Sequence, residues 1–101
     1  MPQFGSPFSE LANSRKLTNK ELVRAIRFMV AAEYEATQMY VQLAESTDNK
    51  LAVAVLKDIA DEEIVHAGEF LKLLYELAPT EKALYAKGAG EVEEIAKSQH
   101  R

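Results

Sequence analysis

The chain has 101 residues, of which 48% are hydrophobic and 28% charged, a composition typical of one ordinary globular domain. The net charge is −4, and no basic run suits nucleic acid. The absence of cysteine excludes disulfides, thiolate metal sites and cysteine nucleophiles. Apolar runs such as residues 28–32 and 51–56 are far too short to cross a bilayer, and no signal-peptide pattern opens the chain. We therefore expect no membrane partner and a cytoplasmic location.

The first predicted helix has a well-marked start. Residues 1–17 are rich in Pro, Gly and Ser and are predicted to form a flexible N-terminal arm. Thr18 followed three residues later by Glu21 has the spacing of a capping box, in which each side chain bonds the other residue's backbone N–H. Neither Gly nor Pro interrupts the chain from there to residue 46. The sequence predicts one long helix over this range.

A second long helix follows a short turn. Residues 46–49 read Ser-Thr-Asp-Asn, and either Asp48 or Asn49 can cap the next helix. The second uninterrupted stretch runs over residues 50–77 and stops at Pro79. Because the connection is short, the two helices are predicted to pack as an antiparallel hairpin, each about 40 Å long at 1.5 Å per residue.

The remaining chain is predicted to hold shorter helical pieces. Residues 80–87 can form a short C-terminal helix that completes a hairpin domain over residues 18–87. Gly88 and Gly90 are then predicted to form a hinge, and residues 88–101 a tail with a last helical piece over 91–97.

The apolar stripe of each long helix is interrupted at its middle by ionisable residues. The first stripe has alternating intervals of four and three residues: Leu22, Ile26, Met29, Glu33, Ala36, Tyr40 and Leu43. The second follows the same rule: Ala52, Leu56, Ile59, Glu63, His66, Phe70, Leu73 and Leu77. Glu33, Glu63 and His66 thus occupy positions where the pattern asks for apolar side chains.

These three residues are predicted to meet. Glu33 lies 15 residues before Asp48 and Glu63 lies 15 after it, so both stand at one height of an antiparallel pair. Glu63 and His66 are three apart and project from one helix face. Burying a carboxylate costs several kcal/mol unless it is paired or bound to a metal, so a shared compensating centre is indicated.

The spacing matches half of a di-iron ligand set. Ferritin-like di-iron proteins use two single Glu residues and two Glu-x-x-His motifs from four helices, and this chain has one of each. A two-fold dimer would supply the other half and form a ferritin-like four-helix bundle in this otherwise all-α protein. Oxygen and imidazole ligands suit iron or manganese, with zinc as a competitor. Taken singly, such a Glu often reaches solvent, and such a His is usually a core residue with one hydrogen-bond partner.

The chain resembles the encapsulated ferritin family, the two-helix ferritin-like cargo of encapsulin shells, over about residues 20–87. The resemblance rests on Arg24-Ala25-Ile26, on Glu33-Tyr34-Glu35-Ala36, on Tyr40, on the Ser46-Thr47-Asp48 turn, and on residues 61–67, Asp-Glu-Glu-Ile-Val-His-Ala. It implies a ferroxidase centre shared between two subunits, with two iron ions per dimer, and a ring of five dimers. It also implies a place inside an encapsulin nanocompartment, where the shell stores the oxidised iron.

The resemblance also implies roles for single residues. Glu33, Glu63 and His66 would be the metal ligands, with Tyr40 beside the centre and Glu35 in an outer iron-uptake site. Tyr40 can equally be a packing residue, and Glu35 a solvated acid. The chain departs from the family pattern at Ala32, where a second uptake Glu is usual, and at Met39, where Trp is usual.

Two other functions use the same residues. A small rubrerythrin-like peroxidase would need an external electron donor, because no cysteine is present to hold a second iron centre. A structural helical dimer would keep Glu33, Glu63 and His66 in a metal-free polar network or around one structural zinc.

Overall fold

The computed structural model describes residue 12 and residues 14–99, and over this part of the chain the protein is all-helical, without strands. Three helices follow in order: α1 (Asn19–Glu45), α2 (Lys50–Leu77) and α3 (Pro79–Gln99). This confirms the predicted all-α class. The predicted N-terminal arm lies almost wholly outside the described residues. None of the described helices is long and apolar enough to span a membrane.

The predicted capping box begins α1. The Thr18 hydroxyl accepts a hydrogen bond from the Glu21 backbone N–H at 3.2 Å, and the Thr18 N–H donates to the Glu21 carboxylate at 2.9 Å. Arg15 donates to both oxygens of the same carboxylate, at 2.8 and 2.7 Å. The Arg15 hydrogen bonds, followed by the Thr18 backbone bond, lower the pKa of Glu21 to about 2. The helix start is thus fixed by one shared carboxylate.

The turn between α1 and α2 closes the hairpin. The Ser46 N–H donates to the Leu43 carbonyl at 3.0 Å, and the Asn49 side chain accepts from the Ala52 N–H at 2.9 Å. Asn49 is therefore the cap of α2. At the far end of the hairpin Val23 and Ile26 of α1 pack with Leu74 of α2, so the two helices run antiparallel as predicted.

Burial between α1 and α2 is displaced by about one residue from the predicted stripe. The buried residues of α2 are Ala60, Ala67 and Leu74, one position beyond Ile59, His66 and Leu73. On α1, the stripe residue Ile26 is buried, but Leu22 and Met29 are only half-buried while their neighbours Val23 and Val30 are buried. The stripe read from the sequence therefore lies along one edge of the hairpin contact. The stripe and the buried residues together form an apolar band that is wider than the contact between α1 and α2. A helix that packs against two neighbours in a bundle has such a wide band.

The prediction for the C-terminal region was wrong. Instead of a short helix, a hinge and a last piece, Pro79–Gln99 is one continuous helix, and Gly88 and Gly90 lie inside it. Neither glycine has a positive φ, and a Cβ atom at either position would meet nothing within 4 Å. Glycine lowers helix propensity by only about 1 kcal/mol, which the good helix formers around these positions outweigh.

The start of α3 is tied to α1. The Arg27 side chain of α1 donates to the Glu81 carboxylate of α3 from Nε at 3.0 Å and also from its terminal nitrogen. The Tyr85 hydroxyl donates to the same carboxylate, and the Tyr85 ring lies 5.9 Å from the Tyr75 ring, centroid to centroid. Arg27 first, then Tyr85, lowers the pKa of Glu81. One acid thus orients α3 against the hairpin.

Candidate metal centre

Glu33, Glu63 and His66 come together at mid-height of the hairpin. One ligand atom from each lies within 4.8 Å of the other two. The Nδ1 atom of His66 is 3.7 Å from Oε2 of Glu33 and 3.6 Å from Oε2 of Glu63. The matching heights in the antiparallel pair, and the three-residue spacing on α2, produce this convergence. The three residues that interrupt the apolar stripes are the ones that meet.

The distances within this cluster suit a shared ion better than direct hydrogen bonds. Both separations exceed the usual N–H···O distance of about 2.9 Å. Two neighbouring ligand atoms that each lie about 2.0–2.2 Å from one metal ion are separated by about 2.8–3.6 Å in octahedral or tetrahedral geometry. The two separations in this cluster lie at or just above the upper end of that range.

Glu33 gives a second reason to infer an ion. Its Oε2 atom is buried and makes no hydrogen bond with any described residue. The side chains of Glu33 and Glu63 are 17% and 18% exposed, whereas that of His66 is 48% exposed. A buried carboxylate oxygen without a partner is costly, and a cation is the compensation that an O/N ligand set such as this one accepts. The residues present therefore fit a divalent metal.

Thr37 is a neighbour of this centre that the sequence reasoning did not single out. Its hydroxyl donates to the Glu33 backbone carbonyl at 2.8 Å, one helical turn away. Such a bond competes locally with the helix ladder and can bend a helix slightly. A half-buried Thr four residues after a candidate ligand is the signal that could have identified it.

A cleft of about 180 Å³ opens onto the centre, and it is lined by Glu33, His66, Glu69 and Phe70. Glu69 was also missed by the sequence reasoning. Its position three residues after His66, which places it one turn further along the same side of α2, could have indicated it.

The remaining candidate residues lie apart from the three ligands. Tyr40 is half-buried on α1, seven residues and about 10 Å of helix rise beyond Glu33. Glu35 is exposed and does not belong to the Glu33 cluster. A residue two positions after Glu33 points about 200° around the helix, so Glu35 cannot share its ion within one chain.

The centre lies beside an open apolar surface. On the Glu33 side of α1, Met29, Ala36 and Leu43 are seven residues apart, two turns each, and so share one face. Leu43 is 55% exposed and Met39, on the same side, is 56% exposed. We call this the open face; on α2 it continues over Val55 and Leu73, which are also exposed. The candidate ligands stand at the border between the hairpin contact and the open face.

Comparisons with known proteins identify the family to which the chain belongs. The sequence model of the Rubrerythrin family matches residues 11–99. The encapsulin nanocompartment cargo protein EncC of Myxococcus xanthus is 43% identical over 91 residues, which are 90% of this chain and 68% of that protein. The crystal structure of the encapsulated ferritin domain from Pyrococcus furiosus superposes with a TM-score of 0.81 at 31% identity, covering 87% of this chain and 90% of that one. The chain is an encapsulated ferritin of the rubrerythrin family.

A second relative is a longer protein. The ferritin-like–encapsulin shell fusion protein of Pyrococcus furiosus is 35% identical over 78 residues, which are 77% of this encapsulated ferritin and 23% of the fusion protein. The likeness therefore concerns its ferritin-like part. The helical hairpin with a third helix is confirmed as a ferritin-like arrangement by the superposition with the solved domain.

Proposed function

We propose that this encapsulated ferritin is a ferroxidase that oxidises Fe(II) to Fe(III) at a di-iron centre shared between two copies of the chain. The observation that carries the proposal is the cluster of Glu33, Glu63 and His66, with one carboxylate oxygen buried and unpartnered among the described residues. Two copies provide four carboxylates and two imidazoles, and the four negative charges balance two divalent ions.

The open face supports the pairing of two copies. Exposed large apolar side chains next to a polar site indicate a surface that a partner covers. A two-fold partner would pack its own open face against this one. If the symmetry axis passes beside Glu33, the ligands of the two copies face each other, because residues next to a two-fold axis meet their own equivalents. The half-set of each chain would then be completed in the interface.

The protein's part in the reaction is to hold its substrate. Glu33 and Glu63 neutralise and position two Fe(II) ions, and His66 supplies one nitrogen ligand to each. Six side chains shared by two ions leave the coordination shell of each ion incomplete, so dioxygen can approach. Incomplete coordination by protein ligands distinguishes catalytic from structural metal sites. Each Fe(II) gives one electron, so a side-by-side pair would reduce one dioxygen by two electrons to hydrogen peroxide, with two protons taken from solvent. Tyr40 lies two helical turns from Glu33.

The proposed setting is the interior of an encapsulin shell. The similarity to a cargo protein of encapsulin nanocompartments and to a ferritin-like–shell fusion supports it. In this setting dimers assemble into a ring of five, oxidise incoming iron, and leave the ferric product for storage and mineralisation within the shell.

Anaerobic Fe(II) titration of the purified protein, followed by exposure to air, tests the proposal. We expect saturation near one iron per chain, a metal-driven increase in oligomer size, and rapid growth of ferric absorbance. Glu33→Ala, Glu63→Ala and His66→Ala are each expected to abolish rapid oxidation. Rapid activity retained in all three variants, or oxidation no faster than in buffer alone, would overturn the assignment.

The match to the Rubrerythrin family gives a second candidate, a peroxidase that uses the same ligands with an external reductant. Parallel assays separate the two. The peroxidase would consume peroxide rapidly with a reductant and oxidise Fe(II) slowly with oxygen, whereas the ferroxidase would show the reverse preference.

A further inference from the structure

We propose that Thr37 is a positioning residue for the candidate metal centre. Its hydroxyl donates to the backbone carbonyl of Glu33 at 2.8 Å, one helical turn away, and so fixes the turn of α1 from which the Glu33 carboxylate projects. This role rests on the proposed function, because it concerns how the chain holds the ions of that centre. Thr37 binds no ion itself and acts through Glu33.

Thr37 is the polar member of the seam along which α1 meets α2. Residues 23, 30, 37 and 44 follow one another at intervals of seven, and Val23, Val30 and Ala44 are buried, at 5–8% exposure. Thr37 continues this apolar series and is part-buried. A hydroxyl adds nothing to packing at such a position, and burying it costs free energy unless it is hydrogen-bonded. The bond to the Glu33 carbonyl is therefore the contribution that distinguishes Thr37 from its apolar equivalents.

The hairpin contact has small side chains at the height of the metal centre. The buried residues of α2 that flank the candidate ligands are Ala60, three residues before Glu63, and Ala67, next to His66, and each is 3% exposed. The distance between two packed helix axes, about 8–10 Å, depends on the size of the side chains at the contact. Alanine leaves no long side chain to absorb a change in the backbone of α1. A shift in the turn that carries Glu33 therefore changes its distances to the ligands of α2.

The hydroxyl adds a second donor to a carbonyl that already has one. In an α-helix the carbonyl of residue 33 accepts from the N–H of residue 37. A Thr hydroxyl that bonds the same carbonyl bends the helix slightly and lowers its stability slightly. Because the residues of a metal site have to be held to within about 0.5 Å, a slight bend is enough to set the 3.7 Å separation between Glu33 Oε2 and His66 Nδ1.

Titration with Co(II), whose visible absorption bands report ligand geometry, tests this role in wild type, Thr37→Val, Thr37→Ser and the matched control Ser46→Ala. Valine keeps the shape of threonine without the hydroxyl, and serine keeps the hydroxyl. Ser46 donates the same kind of bond, to the Gln42 carbonyl at 2.7 Å, at the far end of α1. Melting temperatures of the four proteins are measured in EDTA.

We expect Thr37→Val to weaken Co(II) binding about tenfold and to shift the absorption bands, as the loss of a hydrogen bond behind a metal ligand does. The melting temperature of the metal-free Thr37→Val variant should equal or exceed that of wild type, because the back-bond is lost and the Glu33 carbonyl keeps its helix donor. Thr37→Ser should restore both the affinity and the bands. Ser46→Ala should leave both at their wild-type values.

Wild-type affinity and bands in Thr37→Val would overturn the positioning role. Equal losses in Thr37→Val and Thr37→Ser would also overturn it, because the hydroxyl would then not be the cause. Weaker binding accompanied by a lower melting temperature of metal-free Thr37→Val would assign the effect to folding and overturn it as well. Wild-type protein that binds no Co(II) stoichiometrically would instead reject the candidate centre itself, so failure of the proposed function is distinguishable from failure of the role of Thr37.

Discussion

Glu33 buries part of a carboxylate in the middle of α1. It sits at the middle of α1 with one carboxylate oxygen buried, and no described residue donates a hydrogen bond to that oxygen. Without a cation, burial of this oxygen costs stability. In the proposed metal-bound form, the ion would join Glu33 on α1 to Glu63 and His66 on α2. Glu33 should therefore lower the free energy of unfolding of the metal-free protein and raise that of the metal-bound protein.

Replacing Glu33 with Leu is expected to stabilise the chelator-treated protein by about 1–3 kcal/mol, because the variant no longer buries an unpartnered carboxylate. The same change should abolish the rise in melting temperature that a divalent metal produces in wild type. Thermal denaturation with EDTA and with added Co(II) measures both effects. Glu35→Leu, at an exposed position, is the control and should alter neither, and an undiminished metal response in Glu33→Leu would contradict the ligand role.

The Arg15–Glu21 cap should give the protein a defined acid response. The pKa of Glu21 is lowered from 4.5 to about 2 in the folded chain, so folding favours the ionised carboxylate. Its stabilising contribution is therefore complete above the unfolded value and is lost as pH falls toward about 2. We expect Glu21→Gln to melt lower than wild type at pH 6 and to converge with it as the pH approaches 2. If the difference in melting temperature between wild type and Glu21→Gln stayed constant from pH 6 to pH 2, the ionised Glu21 carboxylate would not be the cause of the acid response.

At the residue scale, sequence reasoning identified the three side chains that converge but not their surroundings. Glu33, Glu63 and His66 stand out because each breaks an apolar stripe of fixed period. Thr37 and Glu69 break no pattern, since Thr and Glu are common on helix surfaces. Their spacing from Glu33 and His66 could have suggested them, and the hydrogen bond of Thr37 and the cleft position of Glu69 then identify them.

At the scale of the elements, α3 shows where local signals mislead. Two glycines within three residues suggested a hinge, yet α3 runs unbroken to Gln99. Glycine permits a break without requiring one, and the chain needs a positive φ or a close approach to make glycine necessary. By contrast the capping box and the Asn49 cap were predictable, because a helix start requires side-chain acceptors for its free N–H groups.

Gly88→Ala and Gly90→Ala are each expected to raise the helix content and the stability of α3, by about 0.5–1 kcal/mol per substitution. The added methyl group meets nothing within 4 Å at either position. Circular dichroism at 222 nm during urea denaturation measures the change. Gly68→Ala in α2, also in open space, serves as a matched comparison. If helix content or stability fell in the two α3 variants but not in Gly68→Ala, the prediction of a hinge at Gly88 and Gly90 would be supported.

At the scale of the whole molecule, the open face is the feature that remains to be covered. The stripe read from the sequence was wider than the contact between α1 and α2, and its surplus lies on the side of the candidate ligands. A single chain cannot reveal which neighbour a helix face is meant for. The sequence could therefore predict the stripe and its polar interruption, but not the division between hairpin contact and open surface.

Placing a charge on the open face should prevent metal binding without altering any ligand. We expect Leu43→Asp to keep the protein monomeric and to abolish stoichiometric Fe(II) binding and rapid oxidation, because an unpaired charge cannot be buried in an apolar interface. Sedimentation velocity and anaerobic titration measure the two effects. Val65→Asp is the control: Val65 is similarly exposed but lies about 100° around α2 from His66, so metal binding should survive. Full iron binding by a monomeric Leu43→Asp variant would show that one chain suffices.

If each chain carries half of the ligand set, as proposed, the activity should depend on protein concentration. A centre that exists only when two chains meet obeys mass action, so its abundance falls faster than in proportion as the protein is diluted. Newly made, sparse chains would hold Fe(II) weakly and oxidise little of it. Confinement of many copies in a small volume, such as the interior of a shell, would favour pairing and so form the centres. Iron would then be oxidised mainly in the compartment that stores the product.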